Sequence, residues 1–130
     1  TSIHAIISDA NGDIWVGCFG QGIYHLNRNL KVVRHYMKEL PCQFITSLAH
    51  DMSGNIWIGT DRAGLFSLNM ANGRCKSAAI PDSNIQTIYC DCRNTLWVGT
   101  SRRGLFHYRF RENVIRQPAG QQYLLYRKRS

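Results

Sequence analysis

Residues 45–68 read ITSLAHDMSGNIWIGTDRAGLFSL. Ile45 to His50 is a short β-rich run that stops at Asp51. Asp51-Met52-Ser53-Gly54 has turn chemistry: an Asp side chain can bond the backbone two residues on, and Gly supplies positive φ. Asn55 to Thr60 is a second strand, with Ile56, Trp57 and Ile58 apolar in a row. Asp61-Arg62-Ala63-Gly64 turns again, and Leu65 to Asn69 makes a third strand. Ala71-Asn72-Gly73 then carries Asn-Gly, the strongest short hairpin signal. Cys75 to Ile80 is the fourth strand, closed by Pro81.

The same string occurs twice more. Residues 3–26 read IHAIISDANGDIWVGCFGQGIYHL, and residues 85–108 read IQTIYCDCRNTLWVGTSRRGLFHY. Trp15, Trp57 and Trp97 are 42 and 40 residues apart. An Asp stands six residues before each (Asp9, Asp51, Asp91), and a Gly stands two after each (Gly17, Gly59, Gly99). Another Gly stands seven after each (Gly22, Gly64, Gly104). Four short antiparallel strands per repeat of this length describe a β-propeller blade. No segment carries a 3.6-residue apolar period, and the L-x-x-L-x-L frame of leucine-rich repeats is missing. The fold class is therefore all-β: three four-stranded antiparallel β-propeller blades. The expected divisions are 1–44, 45–84 and 85–122, with 123–130 a basic tail or the start of a further strand near Tyr123 to Tyr126.

Blades pack face to face around a ring, so their middle strands should be apolar on both faces. Ile14-Trp15-Val16, Ile56-Trp57-Ile58 and Leu96-Trp97-Val98 fit this. The Trp side chains are read as inter-blade filling, and Gly17, Gly59 and Gly99 as sites of close approach. Asp9, Asp51 and Asp91 are read as turn residues. One role repeated in three copies points to structure rather than catalysis. In the third copy Asn94 stands where the turn wants Gly, and Asn tolerates the left-handed conformation.

The pattern D-x-x-G-x-I/L-W-V/I-G-T/C followed by G-L/I-F/Y resembles the two-component regulator propeller repeat. It lacks the Gly-His and Trp-Asp of WD40 repeats. Its Asp and Gly are three apart (Asp9/Gly12, Asp51/Gly54), not two as in sialidase-type Asp-boxes. The resemblance covers residues 3–108 and implies the extracytoplasmic, periplasmic sensor region of a bacterial hybrid two-component protein, recognising ligands that are often glycan fragments. The kinase and DNA-binding outputs of such proteins have no counterpart in the motifs of this sequence.

Closed propellers need about four to eight blades. Three blades are thus a partial propeller or half of a ring closed by oligomerisation, and the expected partners are further blades of a longer chain or a second copy. The chain enters an apolar strand pattern directly after Thr1, so no leader is expected within it. No apolar run approaches the roughly 18 residues that span a bilayer, and membrane association is expected only through other segments.

The formal charge of +8 is unevenly placed: residues 101–130 hold eight Arg and Lys against one acid. That tail is read as a solvated segment, with nucleic acid a minor alternative. Five cysteines, an odd number, argue against a complete intrachain disulfide framework. Cys90 and Cys92 would share a strand face but lack further metal ligands in sequence, so neither metal nor cofactor is expected. His25 and His107 share one repeat offset and are read as surface or inter-blade residues. No Ser/His/Asp or Cys/His set stands in an activating context, and Glu39 and Glu112 are the only glutamates. The chain is therefore read as a non-enzyme, with a propeller lyase or hydrolase as the weaker alternative and a protein-assembly module as the other.

What differs between the copies marks the candidate site. The loops between second and third strands should lie on one ring face with the inter-blade connections, where propeller ligands bind. This places Gln21, Asp61, Arg62, Arg102 and Arg103 in the candidate ligand site. The arginines would suit the carboxylate or sulfate groups of an acidic oligosaccharide.

Overall fold

The computed structural model describes residues 2–119. Twelve strands form three separate antiparallel meanders. The first blade holds β1 (Ser2–Ser8), β2 (Ile14–Phe19), β3 (Gly22–Leu26) and β4 (Val32–Tyr36). The second holds β5 (Ile45–His50), β6 (Asn55–Thr60), β7 (Leu65–Asn69) and β8 (Cys75–Ala78). The third holds β9 (Ile85–Cys90), β10 (Leu96–Thr100), β11 (Leu105–Arg109) and β12 (Val114–Arg116). Strand β8 stops at Ala78, two residues short of the expected end. There the Ile80 amide turns back onto the Ala78 carbonyl at 3.0 Å, leaving the ladder before Pro81. The stretch from Tyr123 to Tyr126 lies outside the described residues.

Two apolar clusters hold the blades together. One joins Trp15, Ile23 and Tyr36 of the first blade to Ile45, Leu48, Ile56 and Phe66 of the second. The other joins Trp57 and Leu65 of the second to Ile85, Ile88, Val98 and Tyr108 of the third. Each of these two Trp residues thus faces the blade that follows it, as the apolar middle strands imply. The second blade alone has neighbours on both sides, and there Ile56, Trp57 and Ile58 are all buried. In the first blade Val16, pointing away from Trp15, is half-exposed; in the third, Trp97 itself is half-exposed. Ile6 is 63% exposed, whereas its counterparts Leu48 and Ile88 are buried. Among the described residues, both outer faces of the array are therefore uncovered.

The glycines after Trp are spacers. A Cβ built on Gly17 would lie 2.8 Å from Cγ2 of Ile45, the first strand residue of the next blade. One built on Gly59 would meet Ile85 in the same way and would collide with Ser47 Oγ. Bare backbone here lets the next blade approach. Polar ties act as well: the Thr46 hydroxyl donates to the Ile85 carbonyl at 2.6 Å. Asn94 adopts φ 62°, as its turn requires. Its side chain also accepts from the Met52 amide at 2.9 Å and donates to Ser53 Oγ at 3.1 Å, bracing the turn of the preceding blade.

Candidate functional site

The three Asp residues do more than shape turns. Oδ1 of each accepts the backbone N–H groups two and four residues on, at 2.8–3.0 Å. Oδ2 of each accepts the Trp indole N–H six residues on: Trp15 to Asp9 at 2.8 Å, Trp57 to Asp51 at 2.8 Å, Trp97 to Asp91 at 2.9 Å. A buried indole needs such a partner. Sequence reasoning assigned Asp to the turn and Trp to the packing and missed the bond between them, although the constant six-residue spacing carried the signal. Burial pushes the Asp9 carboxyl up, but the Trp15 indole and the amides of Asp13 and Asn11 outweigh it and hold it below its ordinary value. For Asp91 the Trp97 indole is the chief cause of the lowering. These carboxylates are committed to structure.

His25 and His107 lie within their own blades. The His25 ring stacks on Trp15 with centroids 4.0 Å apart and planes 10° apart, and its Nε2 meets Asp13 Oδ2 at 2.9 Å. His107 lies 5.3 Å from Trp97. Asp9, Asp13 and His25 offer ligand atoms within 4.8 Å of one another. The Asp9 oxygens, however, are taken by the indole and two amides. All five cysteines are free thiols. Burial pushes the Cys90 thiol up to about 11, with Asp51 and Asp91 adding to the shift, so it stays protonated and unreactive.

The loops between second and third strands meet the inter-blade connections. The Gly20 amide bonds the Gln43 carbonyl at 2.9 Å, and the Gly64 amide bonds the Ser83 carbonyl at 2.8 Å. In the third blade the organiser is buried Asp82. Its Oδ2 accepts the amides of Arg102 and Arg103 at 3.0 and 3.2 Å, while Oδ1 accepts that of Asn84 at 2.9 Å. Burial raises the Asp82 carboxyl, but these amides and the Thr100 hydroxyl overcome it and hold it below its ordinary value. Cys42 occupies the matching place in the preceding connection and accepts only one amide, that of Phe44 at 3.4 Å. Arg62, free of such a carboxylate, sits at φ 81°. The Asp82 role escaped the sequence reading because its partners stand 20 and 21 residues away.

Arg102 and Arg103 are exposed and line a cleft of about 470 Å³ with Pro81, Phe106 and Gln117. The Gln117 side chain donates to the Arg103 carbonyl at 2.6 Å. Gln21, Asp61 and Arg62 lie outside this cleft. Exposed Gln21 offers its carbonyl to His35 Nε2 at 2.7 Å, and Asp61 receives the Cys42 thiol on its carbonyl at 3.8 Å. The structure thus brings together two of the five candidate residues. Among the described residues, the ion pairs are His25–Asp13, Arg34–Glu39 and Arg109–Glu112, so neither cleft arginine is neutralised by a carboxylate.

Comparison with known proteins agrees with this architecture. The family model described as two component regulator propeller matches residues 1–20 and 39–62. No curated protein sequence matches the chain. Among solved structures, the extracellular domain of a putative hybrid two component system from B. thetaiotaomicron superposes with a TM-score of 0.78 at 24% identity, covering 88% of this chain and 16% of that one. The extracellular domain of a putative one component system from the same organism gives 0.77 at 18% identity, covering 88% and 18%. Virginiamycin B lyase from Staphylococcus aureus gives 0.71 at 17% identity, covering 89% and 40%. At these identities the likeness is one of fold, and the chain spans less than a fifth of either extracellular domain.

Proposed function

We propose that this chain, which carries two-component regulator propeller repeats, supplies three blades of the ligand-recognising propeller of an extracytoplasmic two-component sensor. The ligand is of glycan type and acidic, and it binds on the loop face through Arg102 and Arg103. The observation that carries this reading is the arginine pair itself. Two consecutive arginines border one cleft, their loop is pinned by Asp82, and no carboxylate forms an ion pair with either among the described residues. Pinning the backbone lowers the ordering cost of binding, and a guanidinium meets a carboxylate or sulfate through two parallel hydrogen bonds. The extracellular sensor domains with the same fold support the assignment to a sensor.

A thermal-shift panel of acidic and neutral oligosaccharides tests it. Acidic members should raise the midpoint, and Arg102→Ala/Arg103→Ala should weaken binding by roughly tenfold or more. Acidic binding unchanged in that double variant would remove the loop face as the site.

A second reading, a blade module used in assembly, is favoured by Ile3 at 57% and Ile6 at 63% exposed on one uncovered face. A flat panel together with a partner recovered by pull-down would support it instead.

A further inference from the structure

The three blades share a cross-strand row on the face toward the following blade. In the first blade it runs Trp15–His25–Arg34, in the third Trp97–His107–Arg116, and in the second Trp57–Ser67–Lys76. The middle residue decides what lies over the indole. In the first blade His25 stacks flat on Trp15. Ser67 is too short to do this, and a cleft of about 350 Å³ lies beside Trp57 at the junction with the third blade.

Blade three supplies an aromatic wall for this cleft. Tyr108 stands edge-on to Trp57 at 5.7 Å and Phe110 is tilted against it at 5.0 Å. At the equivalent positions the second blade offers Leu68 and Met70 to the first, so the three-ring arrangement belongs to this junction. The polar wall comes from a second row, Asn55–Asn69–Arg74, one pleat further along the same sheet. Period-two alternation along β8 and its entry puts Arg74 and Lys76 on this same face. The lining contains no Asp or Glu, and among the described residues neither cation has an ion-pair partner.

We infer that this inter-blade cleft is a second ligand site, separate from the loop-face arginines, and that it takes an anionic saccharide unit such as a uronic acid. Trp57 and Tyr108 are 4% and 6% exposed and form the floor of the cleft, so the half-buried Phe110 ring offers the apolar surface for the C–H face of a sugar. The Asn55 amide donates to Asp51, and the Asn69 and Asn72 oxygens accept backbone amides, which leaves the Asn69 and Asn72 side-chain N–H groups for hydroxyls. Arg74 and Lys76 supply the countercharge for a carboxylate. A cleft of this size, part aromatic and part polar, falls within the usual range for small ligands.

The test uses the 130-residue chain, sodium D-glucuronate and D-glucose, and the indole N–H resonances read by two-dimensional NMR. Glucuronate should shift the Trp57 indole resonance, and glucose should do so far more weakly. Ser67→His installs the residue found in both other blades and should abolish the shift by filling the cleft that Ser67 lines beside Trp57. Arg74→Gln/Lys76→Gln, at two exposed positions, should weaken binding by roughly tenfold and keeps the test open if Ser67→His disturbs the junction. Arg102→Ala/Arg103→Ala should leave the shift intact. An unmoved Trp57 resonance, equal binding of glucose, or affinity unchanged in the Arg74/Lys76 variant would each overturn the inference. Glucuronate binding lost only in the Arg102/Arg103 variant would also overturn it, while leaving the proposed function standing.

Discussion

Replacing Asp51 by Ala tests the part of the structure that holds each blade to its own tryptophan. Asp51 is 3% exposed and accepts four bonds: the amides of Ser53 and Asn55, the Asn55 side chain and the Trp57 indole. The indole loses most, because Trp57 is only 4% exposed and its N–H has no other partner among the described residues. An orphaned buried donor costs about 1–3 kcal/mol. The two turn amides lie near solvent and add about 0.5–1.5 kcal/mol each. The expected loss is thus about 4 kcal/mol, a large part of the roughly 5–15 kcal/mol typical of a domain. Urea unfolding followed by far-UV circular dichroism measures it. A double-mutant cycle with Trp57→Phe isolates the bond, since a phenyl ring presents no N–H to be orphaned. In the Trp57→Phe background, Asp51→Ala should cost about 1–3 kcal/mol less than in the native chain. A coupling below about 0.5 kcal/mol would refute the claim that this bond, rather than the turn alone, accounts for the recurring Asp.

Gly59→Ala should destabilise by about 1–3 kcal/mol through overpacking against Ser47 and Ile85. Gly99→Ala, whose Cβ would press only on the tip of the Thr87 side chain at 2.7 Å, should cost less; equal urea midpoints for the two would contradict the inter-blade spacing role. Because the Asp9 carboxyl is held below its ordinary value of 3.8, the stability it contributes is fully present above that pH and is lost as pH falls through the lower folded value. Asp9→Asn should therefore flatten part of the acid limb of the stability profile, and an unaltered limb would count against this. The outer faces, uncovered among the described residues, predict self-association of the chain, weakened by Ile6→Lys. A light-scattering mass of one chain at all concentrations would refute that prediction.

The repeat itself was legible, because its information is local and written three times, but for the end of strand β8, which stops at Ala78 rather than Ile80. Strand order, turn positions and the left-handed Asn94 follow from residues within a few positions of one another. The arginines were found by comparing the copies, and Arg102 and Arg103 do share a cleft. Their companions Gln21, Asp61 and Arg62 could not be placed by that method, since equivalent loops of different blades are separated by the width of a blade. The roles of His25 and Asn94 were legible only in part. That His25 would lie flat on its own Trp15 depends on strand register, and that Asn94 would reach back to Met52 and Ser53 depends on blade packing.

Alone, then, the sequence determined the blade: its four strands, its turns, its apolar middle strand and the Asp–Trp–Gly frame that builds them. Period-two alternation and turn chemistry act over a few residues and need no partner. Tertiary structure decided what each copy of that frame means in place. Identical motif positions become a buried Trp57 and a half-exposed Trp97, or a covered Leu48 and an open Ile6, according to whether a neighbouring blade stands against them. It likewise turned the exchange of His for Ser67 into a cleft with an aromatic wall, because the wall is made of Tyr108 and Phe110 from the following repeat. Burial and cavity shape depend on which surfaces meet, and only the packed blades specify that.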